Sequence, residues 1–567
     1  TAVGAYALDA NVGGSGNTAV GVSSLGANES GDDNTAVGTN ALLVNTASDN
    51  TAVGSLSLDA NTTGARNTAV GRSSLGLNES GDDNTAVGAN ALVLNTASDN
   101  TAVGSLSLDA NTTGARNTAV GRSSLGLNES GDDNTAVGTN ALVLNTADNN
   151  TAVGSAALDA NTSGTANTAV GKGSLSANET GTANTGVGYL ALAANTTASN
   201  NTAVGYAALL ANTTGYSNTA VGHSALDANT EGFWNTAVGM GSLGTNTTGD
   251  YNVAVGNEAL AANTTGGDNV ASGYRSLATN TTGSYNVASG RLALYSNTTG
   301  SLNSTNGTSA LYTNTTGSYN TASGSQALNK NTTGSYNTAS GYQSLYTNTT
   351  GSYNTASGRA ALLSNTTGAG NTALGYQSHD NLTTGSNNIA IGYNTAPSVV
   401  GVDSEIVIGP SVTGGGTNTV RFGIGTNTAT LGLDGSDTSW AAASDVRLKK
   451  EVTSSTVGLA FISALRPVTF KWQLKNAVES SLPQYDADSS GPVYGEGKTH
   501  HGFIAQEVKA VIDSHSDVAN GHNVWHEDPD GTQQLAPGAL VPMLVKAIQE
   551  QNGLIEALTA RITLLEG

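Results

Sequence analysis

The chain has 567 residues, including 73 Gly, 8 Pro and no Cys, and only 5% of its residues are aromatic. This composition excludes a single large globule, which would need more Leu, Ile and Phe, and it excludes a disulfide framework. With 42 acidic against 20 basic residues, the formal net charge of -22 argues against nucleic-acid binding and against attraction to anionic membranes. Since no stretch approaches the roughly 18 apolar residues of a membrane helix, no membrane insertion is expected. The chain starts in mid-repeat without Met, which predicts a preceding N-terminal part.

A short motif recurs along most of the chain. The letters NTAVG, with small variations, begin at Asn17 and return every 17 or occasionally 16 residues, as far as a partial unit at Asn388. Residues 51–100 and 101–150 differ at only three positions, which indicates duplication of a block of units. The repeat predicts a regular, elongated shaft over residues 1–395.

The consensus unit is N-T-A-V-G-x-x-A-L-x-x-N-T-T-G-x-x, in which a turn signal follows each of two short apolar pieces. It predicts two short strands and two turns per unit. Such a small unit cannot close its own core, so units are expected to stack, burying Val and Leu and aligning Asn side chains in hydrogen-bonded ladders. The predicted fold class is mainly β, a β-solenoid or β-roll with one repeat of 17 residues per coil. Because one coil buries little apolar surface, several chains are expected to share the core.

Two decorations of the repeat attract functional interpretation. The acidic pair Asp32-Asp33 returns at 82–83 and 132–133, where paired carboxylates could hold Ca²⁺, although a solvated acidic turn fits better. Several tyrosines are expected to occupy one place in their units and to line one edge of the solenoid, either stacking on each other or binding sugars. They are Tyr216, Tyr251, Tyr285, Tyr319, Tyr336 and Tyr353.

The period is lost after Asn394. Residues 396–443 are predicted to form an irregular β cap or tip and a linker, with short strands at 406–408, 420–422 and 429–431 between Gly-rich turns.

A separate domain is predicted over residues 444–567, where Lys, His, Glu and larger apolar residues become frequent. Ser444 and Lys449 lie at its start. A Ser–Lys pair can perform acyl transfer if burial lowers the pKa of the amine enough for it to act as a general base. Taken alone, that spacing is weak evidence, because most such pairs are surface residues.

Three motifs follow one another in this domain: S-D-x-R-L-K from Ser444 to Lys449, G-F-I-A-Q-E-V from Gly502 to Val508, and L-x-P-x-L-x-x-A-I-Q-E from Leu540 to Glu550. In this order, and with a closing helix, they resemble the endosialidase-type intramolecular chaperone of phage tail spikes and tail fibres.

The resemblance implies an α+β domain that trimerises, guides the folding of the preceding fibre and then cuts itself off before the serine. Carried over by motif, Ser444 is the nucleophile, Lys449 its base, and the peptide bond between Ala443 and Ser444 the cleavage site. Asp445 and Arg447 are supporting candidates, although structural salt bridges fit both residues better. Whether cleavage proceeds by an acyl shift within one chain or by attack between chains stays open.

Two histidines, His500 and His501, lie beside the second motif. His501 is expected to pack or to hydrogen-bond there rather than to act as a catalytic base.

The last helix supports an oligomer independently of that resemblance. Apolar residues recur at two heptad positions over 541–566, which is the pattern of a coiled coil, although it does not fix the number of strands. The resemblance implies three. The seam consists of Val541, Leu544, Ile548, Gln551, Ile555, Leu558, Ile562 and Leu565.

The sequence therefore predicts a viral tail-fibre protein for host attachment, whose C-terminal chaperone drives trimerisation and register and whose only chemistry is autoproteolysis. Its expected partners are two further copies of itself, a host surface receptor that is a glycan or a protein, and a viral tail protein joined through the preceding N-terminal region. The expected location is the virion. No cofactor or metal is predicted. The alternatives are a trimeric cell-surface adhesin with the same chaperone, and a glycan-degrading tail spike, whose two unique carboxylates near-identical coils cannot supply.

Overall fold

The computed structural model describes residues 1–433, 441–442, 450–480, 482, 484–494, 497–518, 524–528 and 531–566. The chain divides into two compact units, Thr1–Ala443 and Ser444–Gly567. The first is mainly β and the second is a smaller α+β unit that ends in a helix, which confirms the predicted fold class.

The first unit is a β-solenoid in which each coil contributes one short strand to a single parallel sheet. Consecutive strands pair in register, so that Thr321, Ala322 and Ser323 face Thr338, Ala339 and Ser340. The strands are β1 Ala2–Val3, β2 Thr18–Val20, β3 Thr35–Val37, β4 Thr51–Val53, β5 Thr68–Val70, β6 Thr85–Val87, β7 Thr101–Val103, β8 Thr118–Val120, β9 Thr135–Val137, β10 Thr151–Val153, β11 Thr168–Val170, β12 Thr185–Val187, β13 Thr202–Val204, β14 Thr219–Val221, β15 Thr236–Val238, β16 Val253–Val255, β17 Val270–Ser272, β18 Val287–Ser289, β19 Ser304–Asn306, β20 Thr321–Ser323, β21 Thr338–Ser340, β22 Thr355–Ser357, β23 Thr372–Leu374, β24 Ile389–Ile391 and β25 Ile406–Ile408.

The prediction of two strands per coil is wrong, because the Ala-Leu piece of the repeat forms a turn. The prediction that Val is buried is also wrong. In a strand such as β7, Ala102 points inward and is fully buried, whereas Val103 points outward and is 37% exposed. The side chains of a strand alternate between its faces, so only the middle residue of each three-residue strand enters the core. The core consists of this Ala, together with the Leu and usually the Ala of the turn piece.

Two ladders of buried asparagines run along the solenoid, as predicted. The backbone N–H of Asn286 donates to Oδ1 of Asn269 at 3.0 Å, and Asn297 Nδ2 donates to Oδ1 of Asn280 at 2.8 Å. Asn286 and Asn297 each donate a second bond, at 2.9 and 2.8 Å, to the carbonyl of Gly300. These amides are fully buried, and the ladder satisfies polar groups that would otherwise be costly inside the core.

The turns rely on left-handed backbone at non-glycine residues. The ninth and last residues of the consensus unit have positive φ, as in Leu294 at 52° and Tyr336 at 60°. This conformation costs an L-residue on the order of 1 kcal/mol. It also directs the N–H along the solenoid, so that Leu294 donates to the carbonyl of Ala310 at 2.9 Å and Tyr336 to that of Ser318 at 3.1 Å. The turns are thus hydrogen-bonded between coils much as the strands are.

The glycine that ends each NTAVG motif is required by the close approach of consecutive coils. Gly290 has a φ of 131°, and a Cβ added to it would lie 2.7 Å from the carbonyl oxygen of Gly307. A side chain at this place would push neighbouring coils apart.

Two ionisable residues replace the consensus at the C-terminal end of the solenoid. His379 takes the place of the core Leu, and Glu405 takes that of the ladder Asn; both are buried. The Glu405 carboxylate accepts N–H bonds from Ser398 at 3.0 Å and Gly416 at 2.7 Å. His379 Nε2 lies 3.9 Å from Glu405 Oε2, too far for a hydrogen bond, and neither ring nitrogen has a hydrogen-bond partner among the described residues. Burial lowers the pKa of His379 to about 4, so its ring is neutral near pH 7.

The parallel ladder extends beyond residue 395, because β25 pairs with β24 in the usual register. Strand β26 (Thr419–Ile424) then adds to β25 in parallel, and β27 (Asn427–Gly432) returns antiparallel to it. The two-residue strand β28 (Ala441–Ala442) pairs with β27.

The described residues of the second unit form three α-helices and two antiparallel pairs of short strands. Helices α1 (Leu459–Ala464) and α2 (Ala505–Ser514) precede the long α3 (Val541–Glu566). Strand β29 (Val468–Phe470) pairs with β30 (His500–Gly502), and β31 (Trp525–Glu527) pairs with β32 (Gln533–Leu535). Short 3₁₀ helices lie at Lys475–Ala477 and Pro537–Leu540. Among the residues that the structure describes, no helix combines the length and apolarity needed to cross a membrane.

Candidate functional site

The predicted cleavage site lies outside the described residues. This applies to Ala443, Ser444, Asp445, Arg447 and Lys449, whose roles stay predictions. The nearest described segment on the N-terminal side is β28, where Ala442 pairs with Ala429 of β27.

The second and third motifs meet in one hydrophobic core. Val508 of the second motif, on α2, and Leu540, which opens the third, are both buried. They belong to a cluster with Phe461 of α1 and Ile512 of α2. The apolar residues of these motifs therefore pack the helices of the unit against one another.

Acidic side chains of the same motifs make polar contacts around this core. Glu507 of the second motif pairs with Arg466, whose Nε lies 2.9 Å from Oε2 of Glu507. Glu550, the last residue of the third motif, accepts the N–H of Leu459 at 2.8 Å and so caps the start of α1. This hydrogen bond, supported by Lys546, holds the pKa of Glu550 below its usual value.

The two histidines beside the second motif differ in their surroundings. His500 is half-buried, and its ring lies 5.7 Å from that of Phe470. His501 is exposed on the same strand. Packing at this place therefore falls to His500 rather than to His501.

A family model covers the first part of this unit. Residues 444–517 match the family described as the chaperone of endosialidase. The match confirms the resemblance predicted from the motifs. The third motif lies beyond the matched residues, and its link to them is the shared core. No curated protein and no solved structure matches the chain.

The helix that follows the endosialidase-type chaperone segment carries an exposed apolar seam. All eight seam residues predicted from the heptads lie on α3, and all except Gln551 are exposed large apolar side chains, from 41% for Leu544 to 82% for Leu565. Of the whole helix, only Ala547 is buried within the chain. The seam is thus available to other chains.

A second apolar surface, here called the valine row, runs along the outer face of the solenoid sheet. Each valine ends its strand, is between 36% and 42% exposed apart from a half-buried one in β12, and lies beside the half-buried residue that begins the strand. Beyond β16 the same place is taken by Ser or Asn, and then by the exposed Leu374 and Ile391. The valine row consists of Val20, Val37, Val53, Val70, Val87, Val103, Val120, Val137, Val153, Val170, Val204, Val221, Val238 and Val255, together with the half-buried Val187 at the same place of β12.

Two of the three acidic pairs of the repeat, those at 82–83 and 132–133, are bound by arginines of the preceding coil, whereas Asp32 accepts the N–H of Ser15 at 2.6 Å. Arg66 Nε lies 2.7 Å from Oδ1 of Asp83, and Arg116 Nε lies 2.7 Å from Oδ1 of Asp133. The hydrogen bond from Arg66 lowers the pKa of Asp83. Within the described part of the chain, no group of three or more His, Cys, Asp or Glu side chains could hold a metal ion.

The tyrosines form shorter stacks than predicted. Tyr319, Tyr336 and Tyr353 are stacked with ring centroids 4.7 and 5.0 Å apart. Tyr216 lies one place earlier in its coil and stacks instead on Phe233, at 4.9 Å. The Phe233-Trp234 pair interrupts an otherwise monotonous repeat, and this break was the signal in the sequence that could have pointed to it.

Proposed function

We propose that this protein is a homotrimeric viral tail fibre, in which the solenoid forms the shaft and the endosialidase-type chaperone segment aligns three chains. The shaft reaches a host-surface receptor, and a viral tail protein holds its N-terminal side in the virion. After assembly the C-terminal domain cuts itself off between Ala443 and Ser444.

The observation that carries this proposal is the chaperone match placed directly after a solenoid of near-identical coils. Such coils can pair out of register between chains at little cost, because each shift by one coil restores almost the same contacts. A domain that joins three chains at one end removes this ambiguity. The exposed seam of α3 and the valine row are the two surfaces of the described chain suited to such contacts.

The proposed cleavage needs only groups of the chain and one water molecule. Lys449, as the free amine, accepts the proton of the Ser444 hydroxyl while Oγ attacks the carbonyl carbon of Ala443. The bond from this carbon to the Ser444 nitrogen breaks, the nitrogen takes the proton, and an ester forms. Water hydrolyses the ester, which leaves a carboxylate on Ala443 and restores the serine hydroxyl. The amino group of Ser444 is already free at that point, whether Oγ comes from the same chain or from another chain.

Intact mass measured under denaturing conditions tests the cleavage. Wild-type protein is expected to give two fragments that end at Ala443 and begin at Ser444. Ser444→Ala and Lys449→Arg are expected to stay full length, because the first lacks the nucleophile and the second lacks a base that can lose its proton near pH 7. Ser454→Ala, at an exposed serine nearby, serves as the matched control and should cleave normally.

A full-length wild-type chain within an assembled trimer would contradict the cleavage, and the domain would then be a permanent trimerisation cap. A monomeric wild-type protein in native mass spectrometry would contradict the fibre proposal itself.

A further inference from the structure

One coil of the solenoid departs from the repeat with large aromatic side chains. Phe233 and Trp234 are the sole Phe and Trp of residues 1–395, and they end the coil that begins at Asn218. With Tyr216 of the preceding coil and Tyr251 of the following one they form a four-ring group, here called the aromatic corner.

The rings of the aromatic corner do not simply continue the tyrosine stacks. Tyr216 and Phe233 lie parallel, with a 4° angle between their planes. Trp234 meets Phe233 at 80° and Tyr251 at 67°, with centroids 5.7 and 4.9 Å apart. In the stack of Tyr319, Tyr336 and Tyr353, by contrast, consecutive rings cover each other's faces. The perpendicular arrangement forms an angled surface, on which a ligand can contact more than one ring.

These side chains remain accessible. Trp234 is 49% exposed, Tyr251 45% and Tyr216 41%. Trp234 also has left-handed backbone, with a φ of 53°, where the preceding coil has the small Ser217 with a φ of 54°. The coil closes equally well without the indole, so the solenoid core does not account for Trp234.

Carboxylates border the aromatic corner. Asp250 is half-buried and accepts the N–H of Phe233 at 2.9 Å, and the exposed Asp268 donates its N–H to the carbonyl of Asp250 at 3.0 Å. Glu231 is exposed in the same turn as Trp234. Carboxylate oxygens are strong acceptors for hydroxyl donors. The same charges, on a chain of net charge -22, repel anionic ligands.

We propose that the aromatic corner binds neutral saccharides. The C–H face of a sugar ring packs on Trp234 and Tyr251, and its hydroxyls donate to Asp250 and Asp268. The local charge excludes sialylated and sulfated glycans. This inference deepens the proposed function, on which its biological role rests, by naming the receptor class and the coils that bind it.

The test is binding of the full chain to an array that carries neutral, sialylated and sulfated oligosaccharides. Wild-type protein is expected to bind neutral members and not anionic ones. Trp234→Ala is expected to weaken the affinity for those members about tenfold or more, as measured by titration calorimetry. Tyr336→Ala removes an aromatic ring from a plain stack and serves as the matched control, which should bind like wild type.

Three results would overturn the proposal. They are wild-type protein that binds no neutral glycan on the array, an equal loss of affinity in Tyr336→Ala, and a changed oligomeric state of Trp234→Ala in native mass spectrometry. The last result would make the aromatic corner a contact between chains. Array binding does not depend on cleavage or trimer formation. An uncleaved or monomeric chain can therefore be told apart from a chain that fails to bind glycans.

Discussion

At the scale of single residues, the buried His379 makes the end of the solenoid sensitive to acid. Its pKa in the folded chain is about 4, below the ordinary 6.5, because burial disfavours the charged ring. The unfolded chain therefore binds more protons between these two values, and stability falls as pH decreases from 6.5 towards 4. Once the pH lies below both pKa values, the loss in the free energy of unfolding from this residue amounts to about 3 kcal/mol.

His379→Leu restores the consensus core residue and is expected to raise the stability of the solenoid while removing this part of its acid sensitivity. Thermal unfolding followed by circular dichroism at pH 7 and pH 4.5 checks it. His223→Leu is the control, since His223 is exposed and stacks on Tyr206 at 4.9 Å. If His379→Leu and wild type lose the same stability on acidification, the carboxylate of Glu405 compensates the charged ring and the argument fails.

Some residue-level features of the solenoid could be predicted from the sequence and others could not. The asparagine ladders were predictable, because a residue that recurs once per coil must meet its own copy. The left-handed Leu294 was not, since its intrinsic preference disfavours positive φ and only the hydrogen bonds between coils override it. The prediction that Val103 is buried failed because it assigned the Leu of the repeat to a second strand. With Leu in a turn rather than a strand, only Ala102 of the strand enters the core.

At the scale of elements, the outer face of the sheet is suited to self-association. The valine row from β2 to β16 extends over roughly 70 Å at the usual strand spacing, and with the adjacent row it covers on the order of 700 Å². This approaches the ~800 Å² per partner of a stable interface. A partner must present apolar groups with the same spacing over this length, a condition that a second copy of the chain meets.

Because the chain contains no cysteine, a single introduced cysteine can test this self-association by cross-linking. Val137→Cys is expected to give covalent dimers with a short bifunctional maleimide, because equivalent valines meet when copies associate in register. Leu144→Cys, at an equally exposed residue of the same coil that lies outside the strand, is the control and should remain uncoupled. Coupling at Leu144 without coupling at Val137 would place the contact on another face.

For the C-terminal unit, the sequence predicted the individual elements but not the contacts between them. The heptads predicted a helix with an exposed seam, and α3 carries one. The motifs predicted the family match, but they did not show that Val508 and Leu540 share a core, because such contacts join residues far apart in the chain. The proposed dyad of Ser444 and Lys449 remains a prediction from the resemblance.

At the scale of the whole molecule, the length of the solenoid should be adjustable by whole blocks of coils. Residues 101–150 form three coils that nearly duplicate residues 51–100, so their removal joins Asn100 to Thr151 with the ladder intact. The deletion is expected to fold and to shorten the solenoid by about 14 Å at the usual strand spacing. Electron microscopy of the purified protein measures the difference.

Deletion of residues 101–125 is the matched control, because it removes one and a half coils and shifts every following residue to the wrong place in its unit. It is expected to lower the thermal stability sharply or to abolish folding. If both deletions fold equally well, the register of the ladder does not govern the stability of the solenoid.

The direction of the hydrogen bonds has a mechanical consequence. In a parallel solenoid the bonds between coils, such as that from Leu294 to Ala310, run along the axis. Tension applied at the two ends of one chain therefore loads the outermost coil first, and the bonds of that coil break before those of the next. Each released coil of 17 residues adds up to about 60 Å of extended chain. A single chain would thus lengthen in small equal steps under a pull, and side-by-side association through the valine row would let three chains carry the load together.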